Sequence, residues 1–351
     1  MDTSHTIQSL ASENFAGVHP AFLEALIQCN NGHSFAYGAD EYTRNASELF
    51  GQVFGDIAGV HFTFNGTGAN IVSLSSMAER FNAILCADSA HIYNDESTAP
   101  ESLAGCRLLP VASTNGKIDP AALRRKITRI GNPHAAQISA ISITQCTEFG
   151  TVYTISELKE LIAVAKEFGL LVHMDGARIY NAAASLNCSL AALTSEIGID
   201  VLSLGGTKNG MMFGEAVVFF NDELYQKAIY HLKRATQLNS KMRFISSQFQ
   251  AMLNGELWRE IANHTNNLAS RLAEGLKKIP EVQITRPVEA NAVFAIFPAS
   301  WVSSLKETMY FHTWDEELQE MRLVCAFDLV EADIDRFLAV AGRLSATPDI
   351  R

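Results

Sequence analysis

Apolar runs of strand length, alternating with helical segments, constrain this chain more than any other feature. His61–Phe64, Ala83–Cys86, Arg107–Val111, Gln137–Thr144, Leu170–Asp175, Val201–Leu204 and Glu215–Phe220 each read as a short buried strand. Between them lie helical patterns. These are Ile71–Phe81, a segment opened by Asp119 as N-cap and Pro120 at the first position, and an amphipathic stretch from Ser156 to a stop at Gly169. Two more helices precede the strands, Pro20–Ile27 and Ala46–Phe54, the second closing at Gly55. Strand and helix in this alternation predict an α/β fold. The sheet should be mainly parallel, with helices on both faces and ligands at the carboxyl ends of its strands.

Among those strand ends, Asp200–Gly210 is the most unusual. Val201–Leu204 runs into Gly205-Gly206, Lys208 follows at once, and Gly210 stands close behind. A lysine set among glycines after a buried strand loses solvation, which lowers its pKa and frees the neutral amine as a nucleophile. The glycines leave room for a flat ligand. From this stretch alone, a lysine on a solvated turn is an equal reading. The strand Leu170–Met174, however, ends in Asp175, with Arg178 just beyond. A strand-end acid, a helix and then a strand-end lysine suit pyridoxal phosphate chemistry. The lysine forms a Schiff base, and the aspartate keeps the pyridine nitrogen protonated so that the ring accepts electrons.

Other strand ends fit the same site. Asn65-Gly66-Thr67-Gly68 before a helix has the layout of a phosphate cradle, with close backbone approach and open N–H groups. Taken alone, that tripeptide is more simply a strand-to-helix turn. His91 follows the strand Ala83–Cys86, where an imidazole can stack on a cofactor ring; an ordinary loop histidine is the alternative. Glu148 follows Gln137–Thr144. The shared location of these residues carries more weight than any one motif.

A net charge of −11 argues against nucleic acid or an anionic membrane as partner. An anionic cofactor is compatible with it, because local amides hold phosphates. The six cysteines show no CxxC or zinc spacing, so reduced buried thiols and no metal site are expected. Met1–His5 lacks a basic region with an apolar run behind it, and no apolar stretch approaches a membrane span. A cytoplasmic enzyme acting on a small molecule is the expectation. From about Tyr225 the texture changes. A basic segment, His231–Arg243, precedes a helix-rich region through Lys278. Strand-like Val282–Thr285, Ala292–Phe297 and Met321–Phe327 and a closing helix, Glu331–Leu344, follow. This predicts a large domain over 1–245 and a smaller α/β domain over 246–351.

The stretches Leu10–Pro20, Tyr37–Thr43, Asn65–Asn70, His173–Arg178 and Ser203–Gly210 together resemble the threonine aldolases, and most closely the low-specificity L-threonine and phenylserine branch. The resemblance spans nearly the whole chain. It implies a fold-type-I pyridoxal phosphate enzyme with a seven-stranded, mainly parallel sheet domain and a smaller C-terminal α/β domain. The implied reaction is retro-aldol cleavage of an L-β-hydroxy-α-amino acid to glycine and an aldehyde. Another pyridoxal reaction on this fold, such as β-elimination or racemisation, is the alternative. So is a binding protein that kept the scaffold and lost the chemistry. By the same resemblance Lys208 is the Schiff-base lysine, Asp175 the pyridinium partner, His91 the stacking ring, and Gly66-Thr67-Gly68 the phosphate turn. Arg178 and Arg322 would fork onto the substrate carboxylate, with Ser12 adding a contact. Arg243 would reach the phosphate of a neighbouring subunit in a homotetramer built as a dimer of dimers, although a basic helix face explains it nearly as well.

Two departures from the family matter. Ala11-Ser12-Glu13 stands where threonine aldolases carry Arg-Ser-Asp, and Thr147–Gly150 replaces a loop that often bears a histidine. The second makes Glu148 a candidate for the base that takes the substrate's hydroxyl proton. His91, a phosphate-linked water, and a merely structural Glu148 are the competing readings.

Overall fold

Seven strands form one sheet in the computed structural model, which describes residues 8–346. In chain order the strands are β1 (Gly59–Thr63), β2 (Asn82–Ala87), β3 (Arg107–Val111), a small hairpin of β4 (Ser113–Thr114) and β5 (Lys117–Ile118), β6 (Gln137–Thr144), β7 (Leu171–Gly176), β8 (Val201–Leu204) and β9 (Glu215–Phe219). The spatial order is β1-β9-β8-β7-β6-β2-β3. Only β9 runs against its neighbours; the other pairs are parallel. Because β9 is reversed between β1 and β8, β1 points the same way as the parallel strands. The carboxyl ends of β1, β2, β6, β7 and β8 therefore meet along one edge. The expected mainly parallel seven-stranded sheet is present, and each predicted strand of it is found.

Helices before and between these strands are α1 (Pro20–Cys29), α2 (Glu41–Phe54), α3 (Gly66–Met77), the short α4 (His91–Asn94), α5 (Pro120–Lys126), α6 (Ile155–Glu167) and α7 (Ile179–Ser185), and α8 (Asp222–Arg234) follows β9. Local chemistry sets their ends. Asp119 accepts the Ala122 N–H ahead of α5, and Gly55 closes α2 at φ +81°. Three starts differ from the sequence reading. Helix α2 begins at Glu41 because Asp40 caps it through the Thr43 N–H. Helix α6 begins after Thr154, which forms a reciprocal capping box with Glu157 that displaces Ser156 from the role. Helix α3 begins at Gly66 because Asn65 accepts the Gly68 N–H, and it stops at Met77. Gly66-Thr67-Gly68 is thus the first turn of the helix itself. From Gly68 to Met77 every residue of α3 is buried, and it packs against β8 and β9.

Downstream lie α9 (Arg243–Leu253), the long α10 (Leu257–Leu276), β10 (Gln283–Ile284), β11 (Ala292–Ile296), α11 (Ala299–Thr308), β12 (His312–Asp315), β13 (Glu320–Val324) and α12 (Glu331–Ala346). The last four strands form an antiparallel sheet, β10-β11-β13-β12. Strand β12 is half-buried throughout and carries no continuous apolar run, so the sequence gives little sign of it. The expected boundary at 245/246 falls inside α9, whose Phe249 and Met252 belong to the main core together with Trp258 and Ile261 of α10. A second core starts at Leu268. We place the division within α10, where one helix feeds both cores.

Leu10 belongs to that second core although it lies at the other end of the chain. Its N–H donates to the Tyr310 carbonyl at 2.7 Å, and its carbonyl accepts from the Val324 N–H at 2.7 Å. The N-terminal segment is a strap sewn to the small domain, and it delivers Ser12 and Glu13 to the sheet's edge.

Candidate active site

Two cavities meet at the carboxyl edge of the large sheet, and Asn14, His91 and Lys208 line both. The first, of about 280 Å³, is lined by Asn65, Gly66 and Thr67 and by Asn70 and Asp175. The Gly66 and Thr67 N–H groups have no acceptor within α3, so its N-terminus presents open donors to the cavity. A Cβ at Gly68 would stand 2.4 Å from the Gln237 amide carbon, so that side chain would have to shift. Gln237 accepts the Phe64 N–H at 2.9 Å and so fixes the approach to the cradle. Lys208 sits in the short turn after β8 and is half-buried rather than sealed in the core. Gly205 must remain a glycine, since a Cβ would approach the Ala177 carbonyl to 2.3 Å.

Asp175 ends β7 with 5% exposure. Its Oδ1 accepts the Ala177 N–H at 3.1 Å, and its Oδ2 accepts from Asn70 Nδ2, also at 3.1 Å. Two residues earlier, His173 is fully buried between the Ser142 and Ser203 hydroxyls, at 2.8 and 2.9 Å. Burial pushes this imidazole down to about 4, against the nearby Asp175 charge, so it is neutral. Glu215 arrives at the same edge from the opposite direction, as the first residue of the reversed β9. It accepts the Gly206 N–H at 2.5 Å, and burial raises it to about 7 despite that bond, the Thr207 hydroxyl and the Lys208 charge. The sequence reading took it only as the start of an apolar strand.

The second cavity, about 340 Å³, lies between the strap, the sheet edge and the small domain. Ser12, Glu148, Arg178 and Arg322 line it, with His312 and Trp314 of β12. Ser12 caps the short 3₁₀ turn Glu13–Phe15 by accepting the Asn14 N–H. Arg178 is already engaged within the chain. Its fork is engaged by Glu13, Nε to Oε1 at 2.6 Å and Nη2 to Oε2 at 2.9 Å, and both residues are buried. Glu13 takes two of the five guanidinium N–H donors, which leaves both Nη1 hydrogens and the second Nη2 hydrogen. Burial pushes the Glu13 carboxyl up, but the Arg178 charge and paired hydrogen bonds, the Lys208 charge and the Asn291 amide outweigh it and hold the group near 2.

Arg322 is the freer cation. Its Nε is buried without a hydrogen-bond partner among the described residues, and its one recorded bond, to the Ala11 carbonyl, is long at 3.4 Å. The Trp314 ring lies 4.8 Å from its guanidinium. Burial lowers its pKa, as does the Arg178 charge, while Glu13, Glu148 and Asp95 oppose the shift. A buried guanidinium with an unmet donor points to an anionic ligand. Glu148 is 8% exposed, and its carboxylate takes no hydrogen bond from the described residues. Arg243 lies outside both cavities, where it bonds the Ser34 hydroxyl at 2.9 Å and, more weakly, the Asn31 and Gly32 carbonyls. Among the described residues no cluster of His, Cys, Asp and Glu could hold a metal ion.

The β-eliminating lyase family model matches residues 9–300. The low-specificity L-threonine aldolase of Pseudomonas aeruginosa is 40% identical over 341 residues, 97% of each chain. The chain belongs to the threonine aldolase family. A second threonine aldolase relative, from a Pseudomonas species, is 40% identical over 95% of this chain and 96% of its own. The solved threonine aldolase structure of Leishmania major superposes with a TM-score of 0.91 at 28% identity and covers 96% of this chain and 99% of that one. The match places this threonine aldolase chain among fold-type-I lyases, as its sheet order does. Among the described residues no helix is long and apolar enough to cross a membrane.

Proposed function

We propose that this threonine aldolase family member cleaves the Cα–Cβ bond of L-threonine, L-allo-threonine or a related L-β-hydroxy-α-amino acid such as phenylserine. The products are glycine and an aldehyde, and the cofactor is pyridoxal 5'-phosphate. One observation carries the reading. Lys208 lines both the cavity that holds the first turn of α3 and the Asp175 carboxylate and the adjoining cavity that holds Arg322, whose Nε has no hydrogen-bond partner among the described residues.

The residues fit the cofactor. The first turn of α3, with Gly66, Thr67 and Gly68, suits its phosphate. Asp175 suits a protonated ring nitrogen, His91 one face of the ring, and Lys208 covalent attachment. When bound, pyridoxal phosphate supplies the electron sink for the pair released at Cα. The chain's own part is placement and proton handling. Arg322 holds the substrate carboxylate, with the remaining Arg178 Nη hydrogens and Ser12 beside it, and so fixes which Cα bond faces the sink. Glu148 takes the β-hydroxyl proton as the new carbonyl forms, which leaves the aldehyde neutral. A second reading gives that proton to His91, because His91 lines both cavities and is more basic than an ordinary histidine.

A homotetramer and a cytoplasmic location complete the proposal. Exposed Leu23, Ile27, Phe35 and Tyr37 beside the Arg243-bound loop support self-association. Six unpaired cysteines, five of them buried, support a reducing compartment. Purified protein incubated with L-threonine or phenylserine should release acetaldehyde or benzaldehyde with equimolar glycine. Keto acid and ammonia, or the D-amino acid without aldehyde, would instead indicate elimination or racemisation. Glu148→Gln should reduce cleavage by about two orders of magnitude while α-proton exchange of glycine persists. Unchanged cleavage would return the proton to His91.

A further inference from the structure

We propose that Glu96 is a positioning residue for His91: it fixes the proton on Nδ1 and leaves Nε2 as the only ring nitrogen that exchanges a proton with the active-site cavities. The inference rests on the placement of His91 in the site above and adds two residues, Glu96 and Asn70, that this reading does not use. His91 opens α4, and Glu96 lies in the bend just beyond that helix. The Glu96 side chain has no solvent exposure, whereas that of His91 is 32% exposed. The pair is therefore one buried acid behind one accessible ring, the arrangement by which a carboxylate sets the tautomer of an imidazole.

Distances make the link continuous. Glu96 Oε1 is 2.8 Å from His91 Nδ1 and 2.8 Å from Asn70 Nδ2, and the same Asn70 nitrogen donates to Asp175 Oδ2 at 3.1 Å. The two hydrogens of one amide thus serve two carboxylates. Asn70 sits on the buried α3, so Glu96 is anchored to the helix that builds the anion cradle.

The network's residual demand argues against a merely structural ion pair. Asn70 Oδ1 and Glu96 Oε2 are buried with no hydrogen-bond partner among the described residues. Two carboxylates share a neutral amide, so their charge is answered by cations at the two ends, the His91 ring and a group facing Asp175. A core tuned for stability alone would satisfy those acceptors or replace the pair with apolar side chains. The hydrogen bond to Glu96 is the largest influence raising the His91 pKa; burial opposes it, and the Glu148 and Asp175 charges add to it. Lys208, Arg178 and Arg322 face the same cavity and act in the other direction. The net result is a more basic Nε2 on the substrate side.

Nuclear magnetic resonance of ¹³C,¹⁵N-histidine-labelled holoenzyme reads this directly, with His91 assigned by its absence in His91→Gln. In the wild-type protein His91 should titrate above about 6.5, with nitrogen shifts that show the Nδ1–H tautomer once neutral. Glu96→Gln keeps the side chain's shape and removes its charge. It should lower the His91 pKa by about one unit or more and slow turnover roughly tenfold or more. An Nε2–H tautomer, a wild-type pKa below that of ordinary histidine, or an unmoved pKa in Glu96→Gln would each overturn the proposal. If Glu96→Gln does not fold, the wild-type tautomer and pKa still decide. If the retro-aldol reading fails, the aldehyde assay reports it while the His91 titration stands.

Discussion

The two cavities that meet at Lys208 are built in different ways. The proposed cofactor side draws Gly66, His91, Asp175 and Lys208 from the ends of strands in a single sheet, each held by the ladder behind it. The proposed amino-acid side is assembled from the strap, the loop after β6, the start of α7 and two strands of the small domain. Its parts are joined by the Glu13–Arg178 pair, by Asn291, which bonds Glu13 at 2.8 Å, and by the backbone bonds of Leu10. The first half is a fixed rim. The second depends on one segment that stitches two domains together. Chemistry common to a family belongs on the first, and choice of substrate on the second.

The largest test removes the joint between the halves. Lys208→Ala should reduce turnover about 10⁴-fold and abolish covalent retention of cofactor. Borohydride reduction followed by peptide mapping checks this, and a label on another lysine would remove Lys208 from its role. Next, Glu13→Ala attacks the amino-acid side alone. It leaves Arg178 buried without its counter-charge and should cost about 3–5 kcal/mol, seen in denaturant unfolding. Cofactor-bound protein should still show its absorbance band. Loss of the band in folded protein would mean that the halves are not separable.

A pH test addresses the fixed rim. Glu215 is held near 7 by burial against an ordinary value of 4.5, so the folded state binds this proton more tightly than the unfolded chain does. The stability this contributes is complete below pH 4.5 and is lost as pH rises through 7. Glu215→Gln should flatten that decline by about 3 kcal/mol at most; parallel pH–stability curves for mutant and wild type would count against it. The smallest expected effect is that of Arg322→Lys. Charge survives and the forked hydrogen bonds do not, so KM for the amino acid should rise about tenfold to a hundredfold with cofactor affinity unchanged. An unchanged KM would leave Arg322 as a strand residue steadied by Trp314.

Much of the first cavity's lining was legible because its signals are local. A strand, a glycine and a polar residue within a few positions state where a chain turns and what it presents there. Helix starts were misread by up to five residues at α3 and α2, since side-chain caps such as Asn65 and Asp40 outrank the onset of apolar periodicity. Glu96 went unread for a different reason. It lies in an acidic surface-like stretch, Asn94-Asp95-Glu96, and only the turn after α4 buries the third of these while leaving the first two exposed.

The sequence by itself determined the alternation of strand and helix, the lysine, acid and glycine at successive strand ends, and membership of a family. Each of these depends on neighbours within about a dozen residues. Only the tertiary structure decided that Arg178 is engaged by Glu13 while Arg322 keeps an open donor, and that Leu10 belongs to the small domain's core. It alone joined His91 to Asp175 through Glu96 and Asn70. Those pairings follow from strand order and domain docking, which bring together side chains far apart in the chain. Burial then sets which charge is met and which is left for a ligand.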